Sequence, residues 1–154
     1  VRNFLHDTFN FLFYTKLSES KDETLAALAA KSLKEVKYHL RHSTNWLIRL
    51  GDGTKESNAK VQKSLEEIWQ FTAELFEMDE IDTELLNAGI AVDNKALKLE
   101  WDEIVNSTLK KAKLKRPEDS YMATGGKKGM HTEYLGFLLA EMQFLQRAYP
   151  DAKW

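Results

Sequence analysis

Cysteine is absent from this chain of 154 residues. Its absence excludes a disulfide framework, a thiolate nucleophile and any zinc or iron–sulfur site held by cysteine. Proline and glycine are scarce, 2 and 7 respectively, so few residues interrupt long helices. No segment approaches the roughly 18–20 consecutive apolar residues that a membrane span needs. The aromatic run at residues 9–14 is short and lies between Asp7 and Lys16. The basic start, apolar stretch and small-residue cleavage site of a signal peptide are missing too. Net basicity is lacking: the formal charge is -2, which excludes nucleic acid as a default partner because phosphate binding needs a basic surface.

What is present is helical periodicity in an ordinary soluble composition, 43% hydrophobic and 30% charged. Residues 1–18 predict a helix whose apolar side chains, among them Phe4, Phe9, Phe11 and Phe13, fall on nearly every face. Such a helix must be surrounded, and the helices that follow can cover only part of it. The expectation is that those four phenylalanines stay partly exposed or are covered by another chain, and that the bundle is incomplete at its N-terminus. Residues 24–50 predict a second helix, capped by Ser20 or Asp22 and ended by Gly51-Asp52-Gly53. Its apolar stripe includes Ala29, Val36, Leu40 and Leu47. A third helix is expected over 57–76, a short one over 83–88, a fourth over 94–109 and a last over 132–149. In the last, Leu135, Leu138, Leu139, Met142 and Leu145 face inward. The fold class is all-α, read as one helical domain over 1–154.

The most informative segment is Lys34-Glu35-Val36-Lys37-Tyr38-His39. Di-iron four-helix bundles carry a Glu-x-x-His pair in the middle of such a helix. Here Glu35 is followed three places on by Tyr38, and His39 comes one residue too late. One residue turns a helical side chain by roughly 100°, so His39 does not replace the missing ligand. Glu35, His39 and His42 do share one face, which leaves a metal site or a polar stripe inside a bundle. Asp7, set in the apolar first helix, must find a partner: a metal, or a histidine or basic side chain across the bundle, which is the reading taken. The space left by the missing imidazole predicts a hydrogen-bonded network of Asp7, Glu35, Tyr38 and His39 without an ion. Gly125-Gly126-Lys127-Lys128-Gly129 lacks the spacing of a phosphate loop and reads as a turn into the last helix, with His131 and Glu133 as its cap. The basic run of residues 110–116 reads as a solvated face.

Several blocks together carry a family resemblance. They are Leu33-Lys34-Glu35-Val36-Lys37-Tyr38-His39-Leu40-Arg41, Trp46-Leu47-Ile48-Arg49-Leu50-Gly51-Asp52-Gly53-Thr54 and Phe71-Thr72-Ala73-Glu74-Leu75-Phe76. The strongest is Thr124-Gly125-Gly126-Lys127-Lys128-Gly129-Met130-His131-Thr132-Glu133, with Leu138-Leu139-Ala140-Glu141-Met142-Gln143 after it. In order and spacing these resemble the C subunits of the ring 1,2-phenylacetyl-CoA epoxidases, multicomponent oxygenases of bacterial phenylacetate degradation. Members of that family are longer, with two further helices upstream of where this chain begins.

The resemblance implies a ferritin-like helical bundle and a structural subunit without catalysis, cofactor or metal of its own. It implies a di-iron centre in a catalytic A subunit that this chain docks and stabilises, with electrons from NADPH delivered by other subunits. Asp7, Glu35 and Tyr38 then occupy vestigial ligand positions, with His39 nearby. Lys127 and Lys128 are candidates for contact with the partner or with the phosphates of a CoA ester. The assembly is a hetero-oligomer in the cytoplasm, with a homodimer open to the chain alone. The competing reading is a stand-alone ferritin-like metalloenzyme that uses Glu35, His39 and His42.

Overall fold

The computed structural model describes residues 1–153. They fall into two compact units, Val1–Ala123 and a second that begins at Thr124. Among the described residues every regular element is helical, and the fold is the expected all-α, ferritin-like bundle.

In the first unit, α1 spans Arg2–Leu17 and α2 spans Glu23–Gly51. At 1.5 Å per residue α2 is about 44 Å long, and α1 packs along it. Asp22 caps α2 by accepting a hydrogen bond from the Leu25 N–H at 2.9 Å. Ser20 does not cap; its hydroxyl donates to the Ile90 carbonyl instead. α3 spans Lys55–Trp69 and starts with a reciprocal cap between Thr54 and Ser57. It stops short of the expected residue 76. The Thr72 hydroxyl donates to the Trp69 carbonyl at 2.8 Å, and the chain tightens into a 3-10 turn, Thr72–Phe76. Such side-chain bonds compete with helix propagation. α4, Glu80–Asn87, is capped by Asp79 and Asp82. A 3-10 turn, Lys95–Leu97, leads into α5, Lys98–Lys111.

The core of this unit lies between α1, α3 and α5. Its centre is an aromatic cluster in which Trp101 stands 5.4 Å from Phe76 and 5.9 Å from Trp69, ring centre to ring centre. Phe9 meets Phe76 edge-on at 5.6 Å. The expectation for the first helix holds only in part. Phe11 and Phe13 are half-buried, but Phe4 and Phe9 are buried by this unit itself. Helices α2 and α5 together cover a wider arc of α1 than the sequence suggests.

In the second unit a 3-10 turn, Gly126–Lys128, precedes α6, Tyr134–Met142, and α7, Phe144–Ala148. The single expected helix over 132–149 is therefore broken at Gln143. The inward face is also a miss: Leu138, Leu139, Met142 and Leu145 are exposed, and only Leu135 is half-buried. A period of 3.6 shows that a helix has an apolar face but not that anything covers it. Glu133 precedes α6 without a side-chain capping bond, so the expected cap does not form.

Candidate functional site

The stripe singled out on α2 is an exposed face. Glu35, Tyr38, His39, His42 and Trp46 are all exposed, whereas Val36 and Leu47 of the same helix are buried. The helix repeat accounts for this. Val36 and Leu47 are eleven residues apart, close to three full turns, and point the same way. Glu35, Tyr38, His39 and His42 lie on the flank and back of that direction.

Rings rather than ions organise the stripe. Tyr38 stacks with His42 at 6.0 Å and meets His39 edge-on at 6.1 Å. His42 in turn stands 6.4 Å from Trp46. Two arginines lie over the same rings: Arg41 is 5.6 Å from the centre of Tyr38, and Arg49 is 5.8 Å from that of Trp46. Exposed contacts of this kind contribute about 0.5–1 kcal/mol each.

The network expected among Asp7, Glu35, Tyr38 and His39 does not form. The Asp7 carboxylate accepts a hydrogen bond from the Ser43 hydroxyl at 2.8 Å. Its partner is neither a histidine nor a basic side chain. The same hydroxyl lies 3.0 Å from the His39 carbonyl, so Ser43 ties α1 to α2 while back-bonding within its own helix. The sequence carried a signal for this: Ser43 lies seven residues after Val36 and four before Leu47, on the face turned to α1. Glu35 is exposed. Among the described residues, no three His, Asp or Glu side chains are grouped so as to hold a metal ion. Glu35, His39 and His42 belong to one helix and face solvent.

Beside the stripe lies a cleft of about 330 Å³, lined by Phe4, His42, Ser43, Trp46, Leu47 and neighbouring residues. It is walled mostly by apolar atoms and by the imidazole of His42. Because the stripe is exposed, Glu35→Ala and Tyr38→Phe are each expected to change unfolding free energy by less than about 0.5 kcal/mol. Urea denaturation followed by circular dichroism measures it. A loss above about 1 kcal/mol for either would mean that the side chain has a partner in the fold.

Lys127 and Lys128 occupy the 3-10 turn of the second unit and are exposed. Gly125 at φ 93° and Gly129 at φ 82° flank that turn, a left-handed geometry open to glycine at little cost. The turn before the last helices is therefore as expected, with both lysines carried on it.

The basic run is not simply solvated. Lys113 pairs with Asp52. Arg116 is half-buried; it pairs with Asp102 at 2.9 Å and lies 4.9 Å from the centre of the Trp69 ring. Spacing along the chain shows no sign of it, because Asp102 and Trp69 come from other helices.

Two comparisons with known proteins bear on this arrangement. The family described as phenylacetic acid catabolic protein matches residues 1–154. A protein of Escherichia coli (strain K12), named as the C subunit of 1,2-phenylacetyl-CoA epoxidase, is 48% identical to the chain over all 154 residues. The chain spans 62% of the length of that relative.

Proposed function

Because this chain belongs to the phenylacetic acid catabolic protein family, we propose that it acts as the structural subunit of a phenylacetyl-CoA ring-epoxidising monooxygenase. In this reading it docks and stabilises a catalytic subunit that holds the di-iron centre, in the cytoplasm, and does no chemistry itself. The observation that carries the reading is the 48% identity, along the whole chain, to a protein named as the C subunit of such an epoxidase.

Two features support a docking role. The first is the ligand arithmetic. Di-iron bundles bring carboxylates and histidines together from four helices, with two Glu-x-x-His pairs. Here Tyr38 stands in the histidine place, and a phenol lacks the imidazole nitrogen that such a centre uses as ligand. The second is the amount of large apolar side chain left at the surface. Tyr134, Phe137, Met142 and Phe144 of the second unit are each about two-thirds exposed. Monomeric proteins rarely expose large contiguous apolar patches, and larger ones mark interaction sites.

Co-expression with the candidate catalytic subunit tests the proposal. The two chains are expected to elute as one complex, with iron in proportion to the catalytic chain alone. An interface of this obligate kind buries roughly 2,000 Å² or more. A chain that elutes separately sinks the proposal. Charge reversal at Lys127 and Lys128 tests their part, with weaker assembly or weaker CoA-ester affinity expected, more so at low salt.

The second reading keeps Glu35, His39 and His42 as ligands, because their spacing of four and three residues places them on one face of α2. Metal analysis of protein from iron- and zinc-supplemented medium separates the two. Under the structural reading the metal content is far below one per chain and does not respond to Glu35→Ala. Near-stoichiometric metal lost in that variant favours the enzyme.

A further inference from the structure

We infer that residues 115–123 form a strap that detaches from the first unit without unfolding its helices, and that Arg116 is its latch. The strap follows α5 through a sharp reversal. Lys113 has φ 54°, and Leu114 is the last buried side chain before the chain crosses α3. From Lys115 to Ala123 nothing is fully buried.

What holds the strap is a short series of side-chain contacts along α3. Gln62 makes two bonds to Lys115, accepting from its N–H at 2.9 Å and donating to its carbonyl at 3.0 Å. The Trp69 indole N–H donates to Asp119 at 2.7 Å. The Ala123 N–H donates to the Gln70 carbonyl at 2.8 Å. Between these points lies Arg116. Its guanidinium pairs with Asp102 of α5 at 2.9 Å, donates to the Asn106 side chain at 3.0 Å and lies over Trp69. One side chain therefore joins the strap to α3 and α5 together. Trp69 beneath it is only 2% exposed.

The helices do not depend on this cover. Their own backbone bonds do not involve the strap, whose share of the core is the half-buried Met122 and the cover over Trp69 at the edge of the Trp101 cluster. Segments with few buried apolar contacts and solvent-exposed bonds open locally at free energies well below that of global unfolding. Opening uncovers the Trp69 indole and the Asp102 carboxylate, a latent patch of ring and anion that the closed strap screens from other molecules.

Native-state hydrogen exchange on the full chain at rising urea reads the device directly. The Lys115 and Ala123 amides are expected to exchange through an opening that urea barely affects, roughly tenfold or more faster than the amides of Leu65 and Val105. Arg116→Ala is expected to speed those two amides a further tenfold or so, with protection in α3 and α5 unchanged. Exchange of strap and helices at one common rate in the parent chain overturns the proposal, as does an Arg116→Ala variant with unaltered strap exchange. A variant that fails to fold overturns it as well, because a detachable strap cannot be required by the helices.

Discussion

Trp101→Ala is expected to cost about 3–5 kcal/mol of unfolding free energy, the range for removing a large aromatic side chain from a packed core. Trp101 has no exposed surface. Its ring touches those of Trp69 and Phe76, and its indole N–H donates to the Leu5 carbonyl at 3.0 Å. The substitution therefore removes three things at once: buried area, the ring contacts of the cluster and a hydrogen bond from α5 to α1. Trp101→Phe keeps most of the ring and deletes the N–H, and is expected to cost less than half as much. The loss in the alanine variant is a large part of the roughly 5–15 kcal/mol that domains typically have. Chemical denaturation of both variants checks the pair. A cost below about 1 kcal/mol for Trp101→Ala would show that the core collapses into the space.

Gly51→Ala is the second large effect, and its sign runs against helix propensity. Alanine is better than glycine in a helix interior by about 1 kcal/mol. At Gly51, however, an added Cβ would lie 2.3 Å from the Ala112 carbonyl oxygen and 2.9 Å from the Ala112 Cβ. Neither atom is the end of a flexible side chain, so the C-terminal ends of α2 and α5 must move apart. The Gly51 carbonyl also accepts a 2.6 Å bond from the Asn58 amide, which donates to the Lys113 carbonyl as well, so that movement strains a second junction. Overpacking of this kind costs about 1–3 kcal/mol, and we expect the melting temperature to fall by roughly 4–8 °C. Gly136→Ala in α6 is the control. A Cβ there meets nothing within 4 Å, so the propensity gain stands alone and stability rises slightly or not at all. A higher melting temperature for Gly51→Ala would refute the close approach of α2 and α5.

The helices themselves were legible because their signals are local. Asp22 caps α2 and Gly51 closes it where the sequence places cap and stop, and the apolar stripe of α2 turns inward at Val36 and Leu47; the Thr54 and Asp79 caps, which start α3 and α4 earlier than expected, were missed. What could not be read was which polar side chain meets which across helices. Asp7 finds Ser43, and Arg116 finds Asp102 and Trp69. These pairs are set by crossing geometry and leave no mark in spacing. The resemblance located Glu35 and Tyr38 on one helix correctly. It misled about their surroundings, since a network needs a wall of neighbours and this face of α2 has water. The last helix failed for the complementary reason. Its leucines have the right period, yet period alone does not say that a neighbour exists.

The open leucines and aromatics of α6 and α7 bear on the lifetime of the chain in a cell. Surface of this character is what holdase chaperones grip and what seeds coaggregation. On the proposed docking reading, a newly made copy with nothing laid against the exposed Phe137, Met142 and Phe144 is expected to be retained, refolded or destroyed by the quality-control machinery. On the same reading, its abundance is expected to follow the supply of the partner that covers those side chains, with production in excess of that supply ending in inclusion bodies rather than in a free pool.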